Sequence, residues 1–310
     1  MSSINLLCHK IYVVIKTRAT DEVALFFKLL SVYLILSISV PQLTYGQPLD
    51  FRGLWVIRNS ITSKEKIEKM IEISSTYGFN NIIVQVRGRG DAYYESEFVP
   101  RAEELSDGDF DPLRLIISLA RARGIRVHAW VNIYYLWSSS SPPRNRGHLY
   151  YTHPEWSATT SDGIADVKKS REYFRRNGIE GMYISPTHPE VNLYLLDVID
   201  EIIRNYQVDG IHLDYVRYPD KNYGYNPEGR KIFIKKYGMD PISLVNESSS
   251  RSFFGNFFYN RSLKQWNYFR KHAITEFVKN VRKFVKGYNP EILLTAAVKP
   301  DMEEAENRYY

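Results

Sequence analysis

The sequence predicts an α/β chain with a parallel sheet, of the (β/α)8 barrel type and truncated after its fifth strand. Three observations predict it. From residue 51 onward, short apolar runs alternate with amphipathic stretches that carry helix start and stop signals, and strands alternating with helices mean a parallel sheet with right-handed crossovers. Two connections, residues 133–188 and 219–262, exceed ordinary loops and both follow strands, which in a barrel puts them at the face that carries the active site. Three strands alternate polar and apolar residues, so each has a face for helices and a face for a polar interior.

In order, residues 51–58 read as the first strand. Thr62 and Glu65 have capping-box spacing, Ile67, Met70 and Ile71 form a buried stripe, and Gly78 stops the helix. Residues 81–87 are the second strand. Asp111 and Pro112 suit N-cap and first-turn positions of the next helix, Leu113, Ile116, Ile117 and Ala120 are its stripe, and Gly124 ends it. Residues 126–132 are the third strand. A helix over 189–206 carries Val191, Leu195, Val198, Ile199 and Ile202, the fourth strand covers 210–216, a long helix 263–285, and the fifth strand 292–298. A closed barrel needs eight strands, so the domain over 47–310 is expected to be C-terminally incomplete.

Of the 310 residues, 44% are hydrophobic, 25% charged and 14% aromatic, which is globular rather than disordered or fibrous. Tyrosines number 24 against 15 Phe and 5 Trp, and a tyrosine ring with its hydrogen-bonding tip suits a wet groove. Residues 1–46 read as a signal peptide: Lys28 precedes an apolar run and Pro41, and Thr44 and Gly46 fit cleavage before Gln47. An exported protein, periplasmic or extracellular, is expected, held to a membrane only if that segment stays uncleaved. Cleavage lowers the net charge from +6 to +4 and removes Cys8, the single cysteine. A mature chain then has no disulfide, zinc-thiolate site or catalytic thiol. Its mild positive charge fits an anionic polymer without demanding one, and the scattered basic residues carry no nucleic-acid signature.

Chemistry concentrates on the polar faces. Gln85 and Arg87 share parity in the second strand, His128, Trp130 and Asn132 in the third, His212 and Asp214 in the fourth. A charge in such an interior must be paired or hydrogen-bonded. Asp214 is the candidate working carboxylate, with Arg217 and Tyr218 beside it, or else it only pairs with Arg87 or Arg217 to hold the mouth together. His128 and His212 are binding candidates or neutral, hydrogen-bonded core histidines. Gln85 and Asn132 suit sugar hydroxyls, and Asp91 is either the second carboxylate or a turn acid. The first long connection mixes Tyr134, Tyr135, Trp137, Tyr150, Tyr151 and Trp156 with Arg144, Arg146 and His148, which suits stacking on sugar rings or a small core of its own. Phosphate-binding, metalloprotease and nucleophile-elbow motifs are missing.

The stretches Arg52-Gly53-Leu54-Trp55, Gln85-Val86-Arg87 with Gly90-Asp91-Ala92-Tyr93-Tyr94, and His128-Ala129-Trp130-Val131-Asn132 resemble the bacterial glycosyl-hydrolase-like family of YngK and YddW type. The longest match is residues 209–219, Asp-Gly-Ile-His-Leu-Asp-Tyr-Val-Arg-Tyr-Pro. The resemblance runs over about residues 51–310 and implies a TIM barrel that hydrolyses a glycan, with cell-wall glycan, as denuded peptidoglycan strands, the leading substrate. The chain departs from the family in lacking a lipid-bearing cysteine and in ending before the family's last strands.

The expected function is therefore glycosidic hydrolysis, with Asp214 as nucleophile or base, Asp91 as acid, and Gln85, Arg87, His128, Trp130, Asn132, Tyr134, His212, Arg217 and Tyr218 binding the glycan. No cofactor and no metal are expected. Two alternatives stand beside it. One is a non-catalytic glycan-binding remnant of such a barrel. The other is a metal-dependent barrel hydrolase using His128, His212 and Asp214.

Overall fold

A computed structural model describes residues 51–105, 108–246 and 253–301; the signal peptide expected over 1–46 lies outside the described residues. The strands are β1 (Gly53–Val56), β2 (Asn81–Arg87), β3 (Arg126–Asn132), β4 (Tyr135–Trp137), β5 (Met182–Tyr183), β6 (Gly210–Asp214) and β7 (Leu293–Ala296). The helices are α1 (Lys64–Thr76), α2 (Pro112–Arg121), α3 (Leu149–Thr152), α4 (Arg171–Arg176), α5 (Pro189–Asn205), α6 (Pro227–Tyr237), α7 (Ser243–Asn246) and α8 (Phe253–Tyr288). Five strands pair in parallel in the order β1-β2-β3-β6-β7, while β4 and β5 form a separate antiparallel pair. Among the described residues no helix is long and apolar enough to cross a membrane.

Most elements fall where the periodicity puts them, and the differences have local causes. The N-cap of α1 is Ser63, whose hydroxyl accepts from the Lys66 amide at 3.4 Å. Thr62 already has helical backbone because it closes a 3₁₀ turn over Arg58–Ile61, and an N-cap needs extended backbone; the expected Thr62–Glu65 box is one residue early. Asp111 caps α2 as expected, accepting from Arg114 N at 3.0 Å, with Pro112 in the first turn. β6 ends at Asp214 rather than 216 because Tyr215 takes a left-handed φ of 51°, which strand pairing does not accommodate. The long helix starts at Phe253, ten residues ahead of the expected 263.

One face of the sheet is the core. Val84 and Val86, Val127, Ala129 and Val131, and Ile211 and Leu213 are buried among apolar side chains of α1, α2, α5 and α8. Each fully buried aliphatic side chain there contributes about 1.5–3 kcal/mol. The other face carries levels fixed by register. Trp55, Ile83, His128, Gly210 and Leu293 share one level, Gln85, Trp130, His212 and Thr295 the next, and Asn132 and Asp214 the last. Trp55 is 49% exposed at the outer strand, and its ring packs edge-on over the buried Trp130 and His212.

The two long connections are folded against each other. Asn226 caps α6 and donates to the carbonyls of Glu155 and Ser157 at 2.8 and 3.1 Å. Asp166, fully buried, accepts from Lys169 Nζ at 3.1 Å, Tyr223 OH at 2.8 Å and Tyr183 N at 3.0 Å. This staple joins both connections to β5. Tyr225, Phe233, Leu244 and Trp266 form a second, smaller core.

Candidate active site

Asp214 is the last residue of β6 and lies level with Asn132 at the end of β3. Its backbone carbonyl accepts from Ile133 N at 2.8 Å, and its Oδ1 accepts from Tyr215 N at 2.7 Å. The left-handed turn at Tyr215 lets both happen at a strand end. Strained backbone of this kind persists where its surroundings over-determine it, and here the Tyr215 ring stacks on Tyr135 at 4.4 Å while Arg217 covers it at 4.5 Å.

Arg217 connects the site. Its Nη1 is 3.9 Å from Asp214 Oδ1 and its Nη2 is 3.3 Å from Glu180 Oε1. Two contacts on one guanidinium hold the two carboxylates within roughly 10 Å, a spacing that reaches the range of paired glycosidase carboxyls. Tyr183 donates to Glu180 Oε2 at 3.2 Å, and Tyr135 donates to the Glu180 carbonyl at 2.9 Å. Burial opposes the charge on Arg217, but Tyr183, Glu180 and Asp214 outweigh it and raise its pKa. Burial also pushes the Tyr183 and Tyr215 phenols upward, so both stay neutral. Asp214 is partly open to solvent, at 15%, and Glu180 more so, at 44%.

The other sequence candidates fall into two groups. Gln85, Trp130, Asn132 and His212 share the sheet face of Asp214, Asn132 level with it and the others below, and all four are buried. Gln85 Oε1 accepts from Arg58, Trp130 Nε1 donates to Asn132 Oδ1 at 2.8 Å, and Asn132 donates to the Gly88 carbonyl at 2.8 Å. His212 Nδ1 bonds Thr295 Oγ1 at 2.8 Å, and its ring meets Trp55 edge-on. Burial lowers the His212 pKa against the pull of Asp214, leaving the ring neutral.

Arg87, His128, Tyr134 and Tyr218 are turned to structure instead. A bulge between Gln85 and Arg87 sets Arg87 level with Val131, so it takes the parity of the helix-facing residues and not that of Gln85. Fully buried, it donates to the carbonyls of Asn132 and Ile133; Asp214's cation is Arg217. His128 bonds Asn81 Oδ1 at 2.9 Å, and burial lowers its pKa to about 4. It is level with Gly210, four residues below Asn132, or about 13 Å along the strand. Tyr134 and Tyr218 are fully buried, donating to Asn192 Oδ1 at 2.8 Å and the Arg270 carbonyl at 3.0 Å; neither ring has a face open to a ligand. Among the described residues no group of three or more His, Cys, Asp or Glu is placed to hold a metal ion; His128, His212 and Asp214 stand on three separate levels.

Asp91 is not beside Asp214 in these contacts. Its Oδ1 accepts from Arg89 N at 2.7 Å and its Oδ2 is 3.7 Å from Arg89 Nη2. Arg89 in turn pairs with Glu104 and covers Trp137 at 4.6 Å. The carboxylate joined to Asp214 is Glu180, which sequence reasoning missed. Its only local signal is an acid between Gly178 and Gly181 in a long connection.

Glu180 also borders a cleft of about 770 Å³, walled by Trp137, the serines 138–141, Tyr150 and α4.

Residues 50–310 match the family described as glycosyl hydrolase-like 10. The chain is similar to glycosyl hydrolase YngK of Bacillus subtilis (strain 168), 22% identical over 275 residues, covering 82% of this chain and 46% of that protein. It is similar to glycosyl hydrolase DigH of Escherichia coli (strain K12), 26% identical over 219 residues, covering 62% and 48%. The chain spans about half the length of these curated relatives. Among solved structures, it resembles the glycoside hydrolase domain of PgaB (BpsB) from Bordetella bronchiseptica, with TM-score 0.57 at 14% identity over 83% of this chain and 69% of that one. It also resembles alpha-L-fucosidase isoenzyme 2 from Paenibacillus thiaminolyticus, with TM-score 0.53 at 15% identity over 80% and 32%. These likenesses show a fold of the glycoside hydrolase (β/α)-barrel type.

Proposed function

Because this chain belongs to the glycosyl hydrolase-like 10 family, we propose that it hydrolyses glycosidic bonds in a bacterial glycan, with denuded peptidoglycan strands the leading substrate. The observation that carries this reading is the guanidinium of Arg217 between two carboxylates, Asp214 at the end of β6 and Glu180 just ahead of β5. Glycosidases need two carboxyl groups across the scissile bond. Asp214, held by Tyr215 N and Arg217, acts as the base. It takes a proton from a water whose oxygen bonds to the anomeric carbon. Glu180 gives a proton to the leaving oxygen as the carbon–oxygen bond breaks, and solvent restores it. A guanidinium lying between the two groups favours the wider, inverting spacing with room for water. The exposed Trp55 ring, packed over Trp130 and His212, supports the bound sugar. An export signal over residues 1–46 would deliver the protein to cell-wall glycan.

The test uses the full chain on denuded glycan strands, reading new reducing ends. Asp214→Asn is expected to lower turnover by at least about a thousandfold, as loss of a residue acting only in the transition state does. Near-normal turnover in Asp214→Asn defeats the assignment. Retention on the glycan without any release of reducing ends by the wild-type chain replaces hydrolysis with binding alone.

A further inference from the structure

We propose that the cleft behind Glu180 is a glycan subsite for the leaving-group side of the scissile bond, so that the bound strand runs from Asp214 across Glu180 into it. The inference rests on the hydrolytic reading and adds where the far part of the chain is held.

Three observations carry it. First, the cleft and the carboxylate pair share Glu180. One oxygen of this residue faces Arg217 and the other Tyr183, and the same residue lines the cleft. A sugar whose oxygen receives a proton from Glu180 has its remainder directed away from Asp214, toward this space. Second, the volume of about 770 Å³ falls within the usual range for ligand sites. Its wall offers the four exposed serines 138–141 and the half-buried ring of Tyr150, with Arg171 and Arg175 at the rim. Hydroxyl donors and acceptors beside aromatic surface match the alternation of hydroxyl and C–H groups around a sugar ring.

Third, the wall is pinned before any ligand arrives. Trp137 Nε1 donates to the Ser141 carbonyl at 2.7 Å, folding the serine run back on β4. Gly181 lies so close to the Trp137 carbonyl that a β-carbon there would overlap it. The Asp166 staple accepts from Tyr183 N at 3.0 Å and fixes β5. A preformed wall reduces the ordering cost of binding.

The test fills the cleft in the full chain with Ser140→Trp and separately removes a rim charge with Arg171→Ala. Tyr268→Ala, exposed on α8, is the control. Two readouts are taken on denuded peptidoglycan strands. One is kcat and KM for reducing-end release. The other is retention on insoluble strands with Asp214→Asn as the background. Ser140→Trp is expected to raise KM at least about tenfold and to weaken retention alike, about 1.4 kcal/mol per tenfold. Arg171→Ala is expected to raise KM about threefold, a surface-charge effect. If Ser140→Trp does not fold, as judged by its thermal midpoint, Arg171→Ala decides. Parent values of KM and retention in the folded variants overturn the subsite while leaving hydrolysis standing. If the wild-type chain releases no reducing ends, hydrolysis fails, and the subsite is judged by retention alone. Retention by Asp214→Asn that Ser140→Trp abolishes supports it; equal retention, or none in the parent, overturns it.

Discussion

Arg217 reaches Glu180 at 3.3 Å with one terminal nitrogen and Asp214 at 3.9 Å with the other. A planar fork can span two carboxylates, whereas a lysine offers one point charge on a flexible stem. Arg217→Lys is therefore expected to lower kcat by about ten- to a hundredfold, with a smaller change in KM, because it disturbs carboxylate positions and not glycan contacts. Reducing-end kinetics on glycan strands measure both constants. A change confined to KM would move Arg217 from positioning the carboxylates to binding substrate.

His128 lies against Gly210, and a β-carbon on Gly210 would overlap the imidazole. Gly210→Ala is expected to destabilise the fold by about 3 kcal/mol, the upper range for overpacking a tight interior. His128→Ser removes the overlapping ring, so the double variant is expected to recover part of that loss. Urea denaturation of the four chains in the cycle gives the coupling directly. Independent, additive losses would show that the ring moves aside freely.

Asp166 and Lys169 form an ion pair at 3.1 Å with side chains 0% and 3% exposed. Burial raises the Asp166 carboxyl to about 6 and lowers the Lys169 ammonium. Removing one partner strands a buried charge. Asp166→Ala is expected to cost about 3–5 kcal/mol, and replacing both with apolar residues much less. Urea denaturation of Asp166→Ala and of Asp166→Ala with Lys169→Met compares the two. Equal losses would show that the hydrogen bonds to Tyr183 and Tyr223 matter more than the charge.

The pH dependence of stability follows from His128, whose pKa burial lowers from 6.5 to about 4. Asp209 pulls it upward, and Arg126 and His212 add to the lowering. The unfolded chain binds the proton first as pH falls, so the unfolded state gains protons that the folded state refuses. The contribution is present above pH 6.5 and is lost progressively as pH falls toward about 4. The urea midpoint is expected to drop over that window and to drop less in His128→Asn. An identical pH profile in His128→Asn would assign the effect to His148, His188 and His212, whose pKa values burial also lowers.

The element sequence was legible because its signals are local. The stripe of α2, its Asp111 cap and Pro112 sit within one stretch, and β3 alternates over seven consecutive residues. Parity put His128, Trp130 and Asn132 on one face of their strand and His212 and Asp214 on one face of theirs; register then sets His212 level with Trp130 and Asp214 level with Asn132. Parity failed at Arg87 because one bulged residue reverses every later side chain in the strand, and nothing in Gln85-Val86-Arg87 marks a bulge. Boundaries failed where a competing turn decides them, as at Thr62 and Tyr215.

By itself, then, the sequence determined an α/β chain with a parallel sheet, its polar face and Asp214 as the last polar-face residue of its strand. These follow from periodicities of two and 3.6 residues, which any short window contains. Only the tertiary structure decided which carboxylate joins Asp214. Asp91 is near in strand order yet bonds Arg89, while Glu180, from the middle of a long connection, reaches Arg217. That choice depends on how residues 133–188 fold back over the sheet, through the Asp166 staple, the Asn226 bridges and the tyrosine stack. Contacts of such sequence separation leave no periodic trace; they exist only once the chain has closed its long loops and buried the groups that hold them.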